Sequence, residues 1–148
     1  MSDPDGAALI AEARSWLGTP YVHQASRKGA GTDCLGLIRG LWRHQFGDEP
    51  QDLPAYTPDW GEPSGTETLL IGATGLMRPV DVAAVKLGDV IVFRMKTGAI
   101  AKHLGVVSAL GAAPRFIHAF SGRGVVESPF SAPWQRRVAA YFRFPQRG

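Results

Sequence analysis

The first third of the chain places its apolar side chains with a helical period. Between residues 5 and 17 they recur every three or four positions, and Gly18 followed by Pro20 ends that pattern. A second helical pattern runs from Cys34 to Phe46, where apolar side chains cover more than one face. We therefore predict two helices, the second of them largely buried.

From Gly88 onward the period becomes strand-like. Helices followed by antiparallel strands are typical of an α+β domain, and 148 residues suit a single domain spanning 1–148. Within it we predict a loop-rich insertion at about 47–87, containing a weaker helix from Thr66 to Met77. The predicted strands are Asp89–Phe93, His103–Ser108, Arg115–Phe120 and Val138–Phe144, with a short one around Val125–Val126.

Composition excludes several classes of protein. The apolar share is 45% and the charged share 20%, as in ordinary globular domains. No apolar run approaches the roughly 18 to 20 residues that cross a bilayer, so we expect no membrane insertion. The net charge of +3 is spread along the chain, whereas nucleic-acid binding usually needs a denser basic stripe. We expect no nucleic-acid partner, and a mild positive charge suits an anionic polymer.

The single cysteine lies where a helix begins. Cys34 follows a glycine-bearing loop and occupies the first turn of the second predicted helix. Free N–H groups at a helix N-terminus favour an anion, so we expect a lowered pKa for this thiol and donors for an oxyanion. Asp33 or Thr32 can cap the start of this helix. Asp33 opposes the lowering of the thiol pKa with its negative charge, unless its carboxylate is occupied as the cap. The alternative is an inert cysteine buried in the core.

Two histidines lie on predicted strands. A thiol nucleophile needs a base and a group that orients the base. A hairpin centred between Leu110 and Gly111 would place His103 directly opposite His118, close enough for a hydrogen bond. A one-residue bulge would change that register. The alternatives are two histidines satisfied at a sheet edge, or a zinc site with Cys34; the short ligand spacings of zinc sites are absent, so we predict no metal.

Five sequence boxes in this order resemble the NlpC-type cell-wall peptidases. The resemblance covers about residues 17–120, and it implies a papain-like fold in which the helix of the nucleophile packs on a C-terminal antiparallel sheet. It also implies cysteine endopeptidase activity on the stem peptides of peptidoglycan, commonly between D-glutamate and a diamino acid, without a cofactor. The boxes are Leu17–Tyr21, Gly31–Leu37, Gly88–Phe93, His103–Val107 and Phe116–Ala119.

The resemblance also assigns roles to single residues. It makes Cys34 the nucleophile, His103 the general base and His118 the residue that orients the base. It gives Tyr21 a hydroxyl near the substrate carbonyl, although a packed aromatic ring is an equal alternative. Where the family usually has Ser after the cysteine, this chain has Leu35. Where the family often has a Gly-Gly pair, this chain reads Val-His-Gln-Ala at 22–25. Both departures flank the expected substrate groove, as Asp33 does.

The N-terminal residues 1–6 lack a basic start followed by an apolar core, so we expect no signal peptide. Family members without a signal peptide occur in phage tails and gene transfer agents, and this short single-domain sequence resembles that subgroup. That resemblance implies synthesis in the cytoplasm, assembly into a phage-like tail beside tail or hub proteins, and action in the cell wall or periplasm. Two other functions stay open: an amidase or acyltransferase on another substrate, and an inactive structural module of a tail hub.

Overall fold

The computed structural model describes residues 4–49, 65 and 67–146. Its helices are α1 Pro4–Arg14, α2 Cys34–Phe46, α3 Thr68–Leu76 and the short α4 Ala132–Gln135, with a 3-10 turn at Val82–Ala84. Its strands are β1 Ser26–Arg27, β2 Gly31–Thr32, β3 Arg78–Val80, β4 Val90–Arg94, β5 Ala101–Ala109, β6 Arg115–Phe120, β7 Gly124–Pro129 and β8 Val138–Arg143.

Six strands form one antiparallel sheet in the order β3-β8-β4-β5-β6-β7, and β1 pairs separately with β2. The predicted α+β class is confirmed. The bounds of α2 and β6 are those predicted from the sequence, and β4, β5 and β8 differ from the predicted strands by a few residues at most. The short strand predicted around residue 125 extends over Gly124–Pro129.

The sheet separates two apolar clusters. Side chains alternate between the faces of a strand, so Val90 and Val92 of β4 pack with the helices, whereas Ile91 and Phe93 pack on the opposite face. The larger cluster includes Leu9, Ile10 and Ala13 of α1, Leu37, Ile38 and Leu41 of α2, and Leu69 and Ala73 of α3. The smaller cluster includes Val107, Phe116 and Phe130, with Trp134 packed against them.

Helix α2 is capped at both ends and closely packed. The carboxylate of Asp33 accepts a hydrogen bond from the N–H of Gly36 at 2.7 Å, and Gly47 ends the helix with a φ of 88°. A Cβ at Gly36 would lie 1.9 Å from the carbonyl oxygen of Ala25. The absence of a side chain at position 36 therefore lets the loop before α2 lie directly against the helix start, where Cys34 stands.

The first two residues of the Gly88–Phe93 box, Gly88 and Asp89, stabilise the sheet. Gly88 has a φ of +87°, which favours glycine. Asp89 is buried, and its carboxylate accepts two hydrogen bonds at 2.8 Å from the guanidinium of Arg143. Because Asp89 precedes β4 and Arg143 ends β8, this bidentate pair holds two neighbouring central strands together.

Part of the predicted insertion lies outside the described residues, namely 50–64 and 66. In its described part, the predicted weaker helix is present as α3, and β3 pairs with β8 at the edge of the sheet. The Glu67 carboxylate, just before α3, accepts a hydrogen bond from the backbone N–H of Ala101 at 2.9 Å and pairs with Arg94. These contacts attach the second half of the insertion to the central strands. The single-domain organisation stays a prediction.

Candidate active site

Cys34 is the first residue of α2 and is 4% exposed. The preceding residue, Asp33, is occupied as the helix cap, and its second carboxylate oxygen accepts a hydrogen bond from the N–H of Gln24 at 2.7 Å. That same oxygen lies 3.7 Å from Nδ1 of His23. Asp33 therefore fixes the loop before the helix as well as the helix itself, and Cys34 is held by both.

The acidity of Cys34 differs from the prediction. Burial raises the pKa of this thiol to about 12, and the negative charge of Asp33 adds to the rise. The backbone N–H groups of Leu104, Leu35 and Cys34 itself act in the opposite direction on that pKa. The expected lowering was wrong because the loss of hydration around a thiolate outweighs the attraction of the helix N-terminus.

The two histidines contact each other as the sequence predicted, but by another register. Nε2 of His103 lies 2.8 Å from Nδ1 of His118. Strand β5 pairs Val106 with Ile117 and Val107 with Phe116, so His103 and His118 are not directly opposed. The pairing shifts by one residue between Val107 and Ala109 near the hairpin loop. Imidazoles are long enough to bond across this diagonal.

Aromatic rings enclose the histidine pair. The ring of Trp134 lies 5.9 Å from that of His103 and 5.1 Å from that of His118 between centroids, and Phe93 and Phe120 pack on His103 at 5.6 and 5.8 Å. This burial lowers the pKa of His103 to about 3, with His118 adding to the effect, and lowers the pKa of His118 to about 4. Both imidazoles are therefore neutral at neutral pH.

A small cleft of about 150 Å³ contains the nucleophile and base candidates. Tyr21 is half-buried, and its pKa is raised to about 12 by burial first and then by the nearby Cys34 and Asp33, so its hydroxyl stays a hydrogen-bond donor. The Leu35 side chain lies in the helix-side core, while its backbone N–H lies beside the sulfur. The cleft is lined by Tyr21, His23, Asp33, Cys34, Met95, Lys102, His103, Ala119, Phe120 and Ser121.

Two residues that contact the histidine pair were not predicted from the sequence. Ser128 Oγ lies 3.0 Å from Nε2 of His118, and Trp134 covers the histidine pair. The turn signal at Ser121–Gly122 indicates a hairpin of β6 and β7. The observed loop, 121–123, pairs His118 with Val126, so Ser128 lies two residues further along on the same sheet face. For Trp134 we find no sequence signal, since α4 reaches the site only through the folded chain.

The described part of the chain has neither a cluster of metal ligands nor a helix that could span a membrane. Within 4–49, 65 and 67–146, no three His, Cys, Asp or Glu side chains converge where they could hold a metal ion. None of the helices in those same ranges has the length and apolar character that a bilayer crossing requires.

Comparison with known proteins identifies the family. The sequence profile of the NlpC/P60 family matches residues 18–143, which is most of the chain and includes Cys34, His103 and His118. The chain belongs to the NlpC/P60 family. The predicted family resemblance is thereby confirmed at this level.

Two curated relatives show what this NlpC/P60 domain is similar to. It is 28% identical over 130 residues to the Murein DD-endopeptidase MepS/Murein LD-carboxypeptidase of Escherichia coli, covering 87% of this chain and 57% of that protein. It is 29% identical over 139 residues to the Gamma-DL-glutamyl hydrolase of Bacillus subtilis, covering 92% of this chain and 29% of that protein. The NlpC/P60 chain thus spans somewhat more than half of the length of the first relative and less than a third of the second.

Solved structures confirm the papain-like fold of this NlpC/P60 domain. An NLP/P60 family protein similar to a lipoprotein, from Staphylococcus aureus, superposes with a TM-score of 0.65 at 21% identity, covering 97% of this chain and 42% of that one. An NlpC/P60 family protein from Bacillus cereus gives a TM-score of 0.64 at 22% identity, with coverages of 94% and 40%.

Proposed function

We propose that this NlpC/P60 domain is a cysteine peptidase that hydrolyses stem-peptide bonds of bacterial peptidoglycan. One observation carries the proposal: Cys34 at the start of α2 and His103 of β5 line the same cleft, and His103 is hydrogen-bonded to His118. This is the set that thiol acyl transfer needs, with a nucleophile, a base and a group that orients the base. The two curated relatives support the substrate class, since their names refer to murein and to γ-glutamyl bonds.

The resting site holds a neutral thiol and a neutral imidazole, because burial raises the pKa of Cys34 and lowers the pKa of His103. We therefore infer that the proton moves as the bond forms. Nδ1 of His103 takes the thiol proton while the sulfur attacks the peptide carbonyl carbon. The carbonyl oxygen becomes an oxyanion, for which the backbone N–H groups of Cys34 and Leu35 and the hydroxyl of Tyr21 are the donors.

Collapse of the tetrahedral adduct breaks the carbon–nitrogen bond. His103 returns its proton to the leaving amine, and a thioester remains on Cys34. Water then attacks the thioester with His103 as base, so that a carboxylic acid leaves and the thiol is restored. The imidazolium of His103 exists only between these proton transfers, when His118 accepts a hydrogen bond from its Nε2–H.

The first test is digestion of purified peptidoglycan, with released fragments identified by mass spectrometry. The wild-type protein should release stem-peptide fragments, and Cys34→Ala and His103→Gln should reduce release by at least about 100-fold. His44→Gln, which changes an exposed histidine of α2, is the control and should digest normally. The fragment masses distinguish a γ-D-glutamyl bond from a cross-link between D-residues.

Two results would overturn the peptidase proposal. Turnover of simple amides or acyl esters by the wild type, without fragments from peptidoglycan, would assign an amidase or acyltransferase. Absence of wild-type activity on every substrate would favour an inactive structural module.

We also propose that a phage-like tail particle carries this domain to the cell wall. The support is the sequence resemblance to the phage-tail and gene-transfer-agent subgroup. The protein should then co-sediment with tail particles from cells that express it with its neighbouring genes. Its presence only in the soluble fraction, free of particles, would contradict this route.

A further inference from the structure

The hydrogen-bonded histidine pair continues to a third side chain. Nε2 of His103 lies 2.8 Å from Nδ1 of His118, and Nε2 of His118 lies 3.0 Å from Oγ of Ser128. The hydrogen bonds are therefore continuous from His103 to Ser128, because His118 uses Nδ1 toward His103 and Nε2 toward Ser128. Ser128 belongs to β7 and lies diagonally across from His118, whose direct partner is Val126.

The protons of the hydrogen-bonded series His103–His118–Ser128 can be placed in two ways. For His103 to act as a base through Nδ1, its proton must be on Nε2, and this N–H must donate a hydrogen bond to Nδ1 of His118. His118 then carries its own proton on Nε2, and this N–H donates a hydrogen bond to Oγ of Ser128. If Ser128 donated instead, both imidazoles would carry their protons on Nδ1, and His103 would have no lone pair for the thiol.

Ser128 is separate from the substrate cleft. It lines a different cavity, of about 570 Å³, together with His118, Phe120, Glu127, Ser131 and Trp134. The cleft that contains Cys34 has none of Ser128, Ser131 or Trp134 among its lining residues. Any influence of Ser128 on the reaction therefore passes through His118.

We propose that Ser128 is a positioning residue, whose hydroxyl oxygen accepts a hydrogen bond from the Nε2–H of His118 and so holds His103 in the tautomer that can deprotonate Cys34. The inference rests on the proposed peptidase function. A hydroxyl suits this role because it accepts a hydrogen bond without adding a negative charge beside the pair. Threonine at this position would keep the acceptor, whereas alanine would remove it.

Kinetics on soluble peptidoglycan fragments test the proposal. Ser128→Ala should lower kcat about 3- to 10-fold, the value of one hydrogen bond, and leave KM within about twofold. Ser128→Thr should keep most of the activity. Ser131→Ala is a matched control, because Ser131 lines the same cavity and its side chain makes no capping hydrogen bond to α4. An equal loss in the control, or no rescue by threonine, would overturn the proposal.

Nitrogen-15 NMR of the histidine side chains supplies a readout that needs no substrate. In the wild type, His103 and His118 should both be protonated at Nε2, and Ser128→Ala should shift His118 toward a mixture of tautomers. Protonation of His118 at Nδ1 in the wild type, or the same spectrum in Ser128→Ala, would refute the inference. A tautomer shift in a protein that digests no peptidoglycan would overturn the proposed function and leave the positioning by Ser128 supported.

Discussion

The two buried histidines should make the protein sensitive to mild acid. His103 and His118 are 7% and 1% exposed, and burial lowers their pKa values to about 3 and about 4. An unfolded chain binds a proton on each imidazole below about pH 6.5. Between that pH and the folded pKa values, the unfolded state therefore holds more protons than the folded state. The free energy of unfolding consequently falls as the pH falls.

The magnitude follows from the width of this window. Each histidine contributes about 1.4 kcal/mol for every pH unit below 6.5, so about 2 kcal/mol is lost by pH 5. For His103 and His118 together the loss between pH 8 and pH 5 is about 4 kcal/mol. That is a large part of the roughly 5 to 15 kcal/mol by which domains are stable. Ordinary carboxylates titrate mostly below this range, so the window isolates the histidines.

Urea unfolding at pH 8 and pH 5 measures the loss. His118→Gln should reduce the difference between the two pH values to about 2 kcal/mol, and a His103→Gln/His118→Gln double variant should nearly abolish it. His44→Gln controls for the loss of a histidine as such, since it changes an exposed side chain. A wild-type difference below about 1 kcal/mol, or an unchanged difference in the double variant, would refute the reasoning.

Other outcomes follow from the helix that carries Cys34. With a pKa near 12, the thiol should react with iodoacetamide at pH 7 about a thousandfold more slowly than free cysteine, measured by mass spectrometry, and should regain an ordinary rate in urea. Rapid reaction of the folded protein would instead indicate a resting thiolate–imidazolium pair. Gly36→Ala should lower the free energy of unfolding by about 1 to 3 kcal/mol, since its Cβ meets the Ala25 carbonyl oxygen. Gly75→Ala in α3, with open space around it, should raise it by up to about 1 kcal/mol, and equal losses in both variants would contradict the packing argument.

The parts of the site that local sequence determines were predicted well. Helix α2 begins at Cys34 and is capped by Asp33, as its cap residue and apolar period indicated. The His103–His118 contact was also predicted, although its register was not. The predicted register was wrong because the loop between β5 and β6 is centred on Ala112 rather than between Leu110 and Gly111, so that Ala109 pairs with Arg115. The one-residue shift between Val107 and Ala109, which leaves no mark in the pattern of apolar positions, then returns both histidines to one face of the sheet.

What the sequence could not predict is the electrostatic state of the site. The helix start is a local feature and favours a thiolate, but the burial of Cys34 comes from the packing of α2 on β5 and β6. In the same way, the aromatic enclosure of His103 comes from Phe93, Phe120 and Trp134, which lie on three other elements. Desolvation is thus a tertiary effect, and its size decides the direction of each pKa shift.

A neutral resting site changes how the activity of this protein has to be tested. A thiol that reacts slowly with iodoacetamide is ordinarily taken as a sign of an inert cysteine. Here the same slow reaction is expected of a working enzyme, because His103 can take the proton of Cys34 as the sulfur attacks a bound carbonyl. The sulfur attacks iodoacetamide at its methylene carbon and displaces iodide, so no oxyanion forms for the N–H groups of Cys34 and Leu35 to stabilise. The reagent therefore lacks the stabilisation that the carbonyl of a peptide substrate receives. Loss of peptidoglycan digestion in Cys34→Ala and His103→Gln therefore discriminates between enzyme and structural module, and thiol reactivity reports only the resting protonation state.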